Sequence, residues 1–195
     1  MSDASNKNRE TEIPLEKKLD DLYHLIDGIE VAMVTTRRTD GQLVSRAMQT
    51  QRRTTGTDLW FMTNAESEKF EELAIDPNVN LAYYKDRTRE WVSVSGRAML
   101  TRDRDFIDAL YNPTWKLWLG DTGDGKRDGG HHDPRIALIL VEAEHVVYSK
   151  SDRSAPMAVF QMLRAKVTGK PPKVATLRKL DREALREPRT DADLR

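Results

Sequence analysis

The sequence predicts a single domain of the mainly β, α+β class, in which about six or seven antiparallel strands meander into a barrel flanked by short helices. Two observations support this prediction. Apolar residues recur with a period of two over most of residues 30–149, and short segments with the helical period interrupt them. The strands do not alternate regularly with helices, and neither a G-x-G-x-x-G motif nor a P-loop occurs, so a parallel nucleotide-binding sheet is not expected.

Length and composition limit the possible functions. The 195 residues suffice for one domain, and no break in composition divides them. The 32 basic and 32 acidic side chains cancel, so nucleic acid is not an expected partner. Because cysteine is absent, disulfides and thiolate nucleophiles are excluded, and we expect a cytoplasmic protein. The longest apolar run, Ile136–Val141, has six residues, so no membrane association is expected.

The apolar residues also predict the domain limits. Residues 1–12 are almost entirely polar and are predicted to form a disordered extension, residues 13–169 form the domain, and residues 170–195 form a charged tail. Hydrophobic residues make up 38% of the chain and charged residues 33%, so few apolar residues are available to form the core of a monomer. Oligomerisation would help to bury them.

The first element is a helix that starts after Pro14. Its apolar positions are spaced by four, three and four residues, and Gly28 marks its end. They are Leu15, Leu19, Leu22 and Ile26.

Strands follow, rich in β-branched and aromatic residues. A hairpin turn at Asp40–Gly41 joins the first two. The predicted strands are Glu30–Thr36, Leu43–Thr50, Leu59–Thr63, Val79–Tyr84, Trp91–Leu100, Arg135–Val141 and His145–Ser149.

Three more helices are predicted: the first is capped by Thr63, the second by Thr101, and the third starts at Ser154. The first ends at Asp76–Pro77, and the last ends at Gly169. Their inward-facing residues are expected to be Phe70, Leu73 and Ala74; Phe106, Ala109 and Leu110; and Met157, Phe160, Leu163 and Val167.

A segment rich in glycine and aspartate, Gly120–Asp133, is predicted to be a long surface loop. It ends in His131, His132 and Asp133, whose side chains are suitable metal ligands. Adjacent histidines on such a loop rarely point at one ion, and no further ligand is apparent in the sequence. We therefore expect a solvated loop and no metal site.

Several stretches, in order, resemble the FMN-binding split barrels of the pyridoxamine 5'-phosphate oxidase-like family, in particular its general stress protein branch. The resemblance covers residues 15–169. It implies a six-stranded antiparallel split β-barrel with flanking short helices, FMN as cofactor, and a homodimer with the cofactor at the subunit interface. The similar stretches are Ser45–Met48, Leu59–Lys69, Asp76–Leu81, Trp91–Ala98, a tryptophan pair at Trp115 and Trp118, Asp133–Ile136 and Val146–Tyr148.

The chemistry of FMN agrees with these residues. Its phosphate needs fixed cations, and its flat ring needs an apolar wall. Arg46 can place its guanidinium on phosphate oxygens, while Ser67 and Lys69 open a helix whose N-terminus favours an anion. The resemblance also implies contacts from Trp91 and Trp118 across the dimer interface, with Trp115 left as packing. It places the following residues along the ring and ribityl chain: Ala47, Met48, Gln49, Phe61, Met62 and Thr63.

The sequence also departs from pyridoxine-phosphate oxidase itself. Glu68–Lys69 stands where that enzyme has two cations, and Gln51 stands where it has a lysine. Its C-terminal tryptophan and Arg-x-His motif have no counterpart after Tyr148. We therefore expect a different activity.

A flavin-dependent oxidoreductase or stress-related flavoprotein is the first hypothesis, with substrate and electron donor unidentified and no residue assigned as general acid or base. A non-catalytic flavin sensor would keep the same phosphate site, so it stays open as an alternative. Related barrels also bind haem or a deazaflavin. Haem would need an axial ligand, and the histidines lie in no recognisable haem motif.

Overall fold

The computed structural model describes residues 13–51, 59–151 and 176–186. The first helix, α1 (Leu15–Ile29), starts directly after Pro14, as predicted. It buries its apolar stripe against the barrel. The helix runs through Gly28 and ends at Glu30, which takes the left-handed φ of 67°.

The remaining elements are seven strands and four short helices among the described residues. They are β1 (Val31–Arg37), β2 (Leu43–Gln49), β3 (Leu59–Asn64), α2 (Glu68–Ile75), β4 (Asn78–Lys85), β5 (Glu90–Thr101), α3 (Arg104–Leu110), α4 (Trp115–Leu119), β6 (Ile136–Lys150), β7 (Thr176–Asp181) and α5 (Arg182–Leu185).

The strands form one antiparallel sheet that curls into a split barrel. Their order is β2-β1-β4-β5-β6-β3, and β7 also pairs with β6. The edge strands β2 and β3 approach each other at one end, where Thr50 and Phe61 form an isolated bridge and the Gln51 N–H donates to the Trp60 carbonyl at 2.7 Å. Among the described residues, β2 and β3 do not pair beyond this point, so the sheet is not closed. This confirms the predicted mainly β split-barrel fold with short flanking helices.

The last long strand differs from the prediction. Two strands were expected at Arg135–Val141 and His145–Ser149, but β6 is continuous over 15 residues. It remains paired with β5 through a register shift at Ser95/Gly96. A Cβ on Gly96 would lie 2.2 Å from the Glu142 carbonyl oxygen, so only glycine allows β6 to pass at this distance.

Two predicted helix caps are wrong. Thr63 and Thr101 belong to strands, where they pair with Ala137 and Leu138 of β6. Sheet pairing therefore overrides the local cap pattern, and the helices start later, after Ser67 and Asp103.

The inward faces of these helices also differ from the expectation. Leu73 is buried on α2 while Ala74 is exposed, and Ile107 and Leu110 are buried on α3. Phe106 is instead 48% exposed and stacks on Trp60 at a centroid distance of 5.4 Å.

The hydrophobic core has two parts. The larger part fills the barrel beneath α1 and includes Phe61, Leu81 and Tyr148. The smaller part lies where α3 and α4 cover β3 and β6, and it is built around Trp60 and Trp115. The second part fixes α4 beside β3.

The sheet continues beyond residue 169, into the segment predicted to be a charged tail. Here β7 pairs with His145–Lys150 of β6. The predicted helix over 154–169 and the predicted extension over 1–12 lie outside the described residues. Within the described residues, no helix has the length and apolar character needed to cross a membrane.

Candidate functional site

A cavity of about 270 Å³ opens between β2, β3, α2 and α4. The near-closure of the barrel at Thr50 and Phe61 brings β2 and β3 together at this point. Because β3 leads directly into α2, the end of the strand and the first turn of the helix face the same space. The cavity is lined by Arg46, Ala47, Met48, Gln49, Gln51, Met62, Thr63, Asn64, Lys69, Trp115, Trp118 and Leu119.

Lys69 is a cation held by hydroxyl groups. Its Nζ donates to Thr63 Oγ1 at 2.8 Å and lies 3.5 Å from Ser67 Oγ. Burial lowers the pKa of Lys69, the nearby Arg46 lowers it further, and Glu72 partly opposes both. Within the part of the chain that the structure describes, its hydrogen bonds go to hydroxyls and none goes to a carboxylate. An anion in the cavity could therefore form an ion pair with the partly desolvated Lys69 ammonium group.

Arg46 is paired within the protein. Its Nη1 and Nη2 donate to the two carboxylate oxygens of Glu72 at 2.8 and 2.9 Å. Nη1 also donates to Thr36 Oγ1 at 2.9 Å, and the Thr36 hydroxyl donates to Glu72 at 2.6 Å. The Glu72 side chain is 5% exposed. Hydrogen bonds from Arg46 lower the pKa of Glu72, burial opposes this, and the Thr36 hydroxyl lowers it further.

The two predicted phosphate cations thus reach one cavity, but they differ in state. Within the described residues, Lys69 hydrogen-bonds to hydroxyls only, whereas Glu72 forms a two-point ion pair with Arg46. The pairing of Glu72 with Arg46 could not be predicted from the sequence, since the two residues lie on a helix and a strand that meet only in the folded barrel. The available hint was that Glu72 stands next to Leu73, which was predicted to face inward.

The predicted site residues divide into three groups, which lie away from the cavity, beside it or in its lining. Phe61 is fully buried in the barrel core, and Trp91 starts β5 opposite Ser149, at the far end of β6 from its pairing with β3. Ser67 lies beside the cavity through its proximity to Lys69 and Thr63. The predicted residues that line the cavity itself are Arg46, Ala47, Met48, Gln49, Met62, Thr63, Lys69 and Trp118.

Sequence reasoning missed part of the lining. Gln51, Asn64 and Leu119 were not expected there, and Trp115 was assigned to packing alone. Trp115 is only 3% exposed and does pack in the smaller core, yet its Nε1–H donates to Gln51 Oε1 at 3.2 Å. This bond ties α4 to the end of β2, and Gln51 is the position where the sequence departs from the oxidase pattern.

A buried ion pair holds the C-terminal end of α4. Arg135 donates to the carbonyl oxygens of Leu119 and Gly120 at 2.8 and 2.7 Å, and to Asp133 Oδ2 at 2.7 Å. Burial raises the pKa of Asp133, but the hydrogen bonds from Arg135 and the Gly129 backbone outweigh this and hold it below its usual range. The wall formed by α4 is therefore fixed, while Trp118 remains 80% exposed beside the cavity.

The fold defines a split-barrel protein, and a cavity lined by Arg46 and Lys69 lies at the meeting point of β2 and β3. The family model described as pyridoxamine 5'-phosphate oxidase like matches residues 17–173. Protein bli-3 from Neurospora crassa is 38% identical over 178 residues, which cover 90% of this chain and 85% of that protein. The chain belongs to the pyridoxamine 5'-phosphate oxidase-like family.

Solved structures share the fold. A Jannaschia sp. CCS1 protein assigned as general stress protein 26 superposes with a TM-score of 0.66 at 18% identity, covering 86% of this chain and 99% of that one. A pyridoxamine 5'-phosphate oxidase-related, FMN-binding protein from Nostoc punctiforme gives a TM-score of 0.56 at 15% identity, covering 71% and 85%. At these identities the likeness establishes the fold.

Proposed function

We propose that this chain binds FMN in the cavity between β2, β3, α2 and α4. The observation that carries the proposal is the position of Lys69, a partly desolvated cation bonded to the hydroxyl of Thr63 and close to that of Ser67. The FMN-binding family member from Nostoc punctiforme, which shares the fold, supports the choice of ligand.

The residues present fit a flavin phosphate. Lys69 would supply the charge, and the hydroxyls of Thr63 and Ser67 would donate to phosphate oxygens. Arg46 would contribute less than its position suggests because Glu72 already binds both of its terminal nitrogens. Among the described residues that line the cavity, the phosphate would therefore depend chiefly on Lys69.

The rest of the lining fits the ring and the ribityl chain. Met62, Trp118 and Leu119 offer apolar surface, while Gln49, Gln51 and Asn64 offer neutral amides. When bound, FMN supplies hydride- or electron-transfer chemistry. The protein's own contribution in this proposal is to bind and orient, since Arg46 and Lys69 are the only ionisable side chains in the described lining.

We also propose that a second copy of the chain completes the site. The cavity of about 270 Å³ falls just below the range of roughly 300–1,000 Å³ usual for small-molecule sites. Beside it, Leu117 and Trp118 are 84% and 80% exposed on α4. A partner that covered these residues would enclose the ring and bury the apolar surface. In such a homodimer, Trp91 could contribute to the site of the other subunit.

A comparison of FMN with riboflavin tests the phosphate site. We expect FMN to bind more tightly than riboflavin by about tenfold or more, which corresponds to ~1.4 kcal/mol, because only FMN can engage Lys69. Flavin fluorescence titration measures both affinities. Equal affinity would contradict the phosphate site, and a haem Soret band in the purified protein would favour the haem alternative.

The variant Lys69→Met tests the role of the lysine charge, and riboflavin binding to the same variant is the matched control. It should weaken FMN binding by about 1.5–3 kcal/mol, the worth of a charge-assisted hydrogen bond, and leave riboflavin affinity unchanged.

Bleaching of bound flavin by a reduced nicotinamide nucleotide under anaerobic conditions would support an oxidoreductase. A flavin that no donor reduces would support a non-catalytic flavoprotein.

Light scattering tests the proposed dimer. A monomer both with and without FMN would contradict it.

A further inference from the structure

A second group of ligand-type side chains lies outside the FMN cavity, at the end of the Gly120–Asp133 loop. His131 and His132 extend from this loop towards Asp108 on α3. One donor atom from each of the three lies within 4.8 Å of the others. We propose that these residues bind a divalent transition-metal ion of the zinc type, independently of the proposed flavin function.

The geometry supplies the ligand that the sequence alone lacked. Two adjacent histidines make a poor metal site without a third ligand from elsewhere in the chain, and the fold provides it from α3. His131 Nδ1 is 3.4 Å from Asp108 Oδ1, and the His131 and His132 ring centroids are 3.9 Å apart. Both imidazoles therefore face the same region as the carboxylate.

The chemistry of the three ligands selects the class of ion. Imidazole nitrogen suits zinc, copper and nickel, and a single carboxylate completes a common three-ligand set. Metal–ligand bonds are about 2.0–2.2 Å, so the donor atoms must move slightly closer together. All three side chains are exposed and can make this change by small rotations. Water would occupy the remaining coordination positions.

The backbone beneath the histidines is held in place. Arg104 on α3 donates to the carbonyl oxygens of His131 and Asp133 at 3.3 and 3.2 Å. The Tyr111 hydroxyl donates to the Gly129 carbonyl at 3.1 Å. A Cβ on Gly129 would lie 2.8 Å from Lys116 Cα, which shows how closely the loop packs on α4. The loop therefore presents the two rings from a fixed position, which reduces the entropy lost on binding.

Isothermal titration with zinc ion tests the proposal, using the full chain without a histidine tag in a non-chelating, phosphate-free buffer. We expect one zinc ion per chain. The double variant His131→Ala/His132→Ala should lower the affinity by more than about tenfold, because changes even beyond the direct ligands often cost 10- to 100-fold. Asp108→Asn should also lower it, since the amide is a weaker ligand.

His24→Ala is the matched control, because His24 is an exposed histidine on α1. It should leave zinc affinity unchanged. Absence of zinc binding to the wild-type chain at 100 µM or so, or an equal loss in the His24 variant, would overturn the proposal. Copper(II) bound in place of zinc should show nitrogen hyperfine coupling that disappears in the double variant, and coupling that persists there would also overturn it. Flavin affinity in the same samples should not change, since none of the three ligands lines the cavity.

Discussion

At the scale of single residues, the protonation of Lys69 controls the proposed phosphate site. Burial and the nearby Arg46 lower its pKa, so the free protein loses this proton at a lower pH than an exposed lysine would. A phosphate dianion favours the charged form and raises the pKa again. The complex therefore holds more protons than the free protein over the intervening pH range, and this difference gives the affinity a predictable pH dependence.

The expected result is that FMN affinity falls as the pH rises through the lowered pKa of Lys69. Lys69→Arg should retain its affinity to higher pH, because a guanidinium stays protonated over this range. Dissociation constants for FMN between about pH 7 and 10 measure the effect, with riboflavin as the control for titration of the ring itself. Parallel profiles for the wild type and the arginine variant would show that Lys69 does not bind the phosphate.

Glu72 lowers the net positive charge of the same site by pairing with Arg46. It is buried and binds both terminal nitrogens of Arg46, so Glu72→Gln would release positive charge towards the cavity. We expect tighter FMN binding by about 1 kcal/mol, the scale of one charge contact in a strongly screened setting, together with lower stability. Glu71→Gln, an exposed change on the same helix, is the control. If Glu72→Gln binds FMN no more tightly than Glu71→Gln does, then Arg46 does not act on the phosphate.

At the scale of the elements, the spacing of apolar residues predicted α1 and most strands. Burial of one face gives a strand an apolar residue at every second position and a helix one at every third or fourth position. Cap patterns were less reliable, since Thr63 and Thr101 are drawn into the sheet by their pairing with β6. The continuity of β6 depends on its pairing with β5, which the sequence does not display. In the site, β2 and the start of α2 were predictable from the family resemblance, but the Arg46–Glu72 pair and the Trp115–Gln51 bond depend on tertiary packing.

The close approach of β5 and β6 at Gly96 leads to a prediction about stability. Gly96→Ala would place a methyl group 2.2 Å from the backbone oxygen of Glu142, which cannot move without breaking the ladder. We expect a loss of about 1–3 kcal/mol, as for other overpacked sites, measured by urea unfolding. Gly28→Ala is the matched control because its added carbon would meet only Lys85 Nζ at 3.6 Å and it lies inside α1. That variant should be neutral or more stable. Equal stability of the two variants would contradict the close approach.

At the scale of the whole molecule, a buried ion pair joins the two ends of the described chain. Asp21 on α1 binds Lys150 at the end of β6 and Arg178 on β7, whose side chain is 1% exposed. β7 lies in the segment predicted as a charged tail, so composition alone concealed its place in the sheet. Arg178 is nevertheless one of the largest fully buried side chains of the described residues. The Asp21 carboxylate is one charge partner of this buried guanidinium, so α1 and β7 stabilise each other.

This interaction predicts how stability varies with pH. Burial raises the pKa of Asp21, but hydrogen bonds and charge from Lys150 and Arg178 outweigh it, so the pKa is lowered in the folded state. The pair therefore contributes fully above the unfolded aspartate pKa of about 3.9 and loses its contribution as the pH falls through the lowered folded value. Asp21→Asn should cost about 1–3 kcal/mol near pH 7, because it removes the carboxylate that accepts charge-assisted hydrogen bonds from Lys150 and Arg178. Urea unfolding at pH 7 and near pH 3 measures this, with Glu16→Gln, an exposed change on α1, as the control. The difference between the wild type and Asp21→Asn should shrink at the acid pH, and a difference independent of pH would show that shape rather than charge holds β7 against α1.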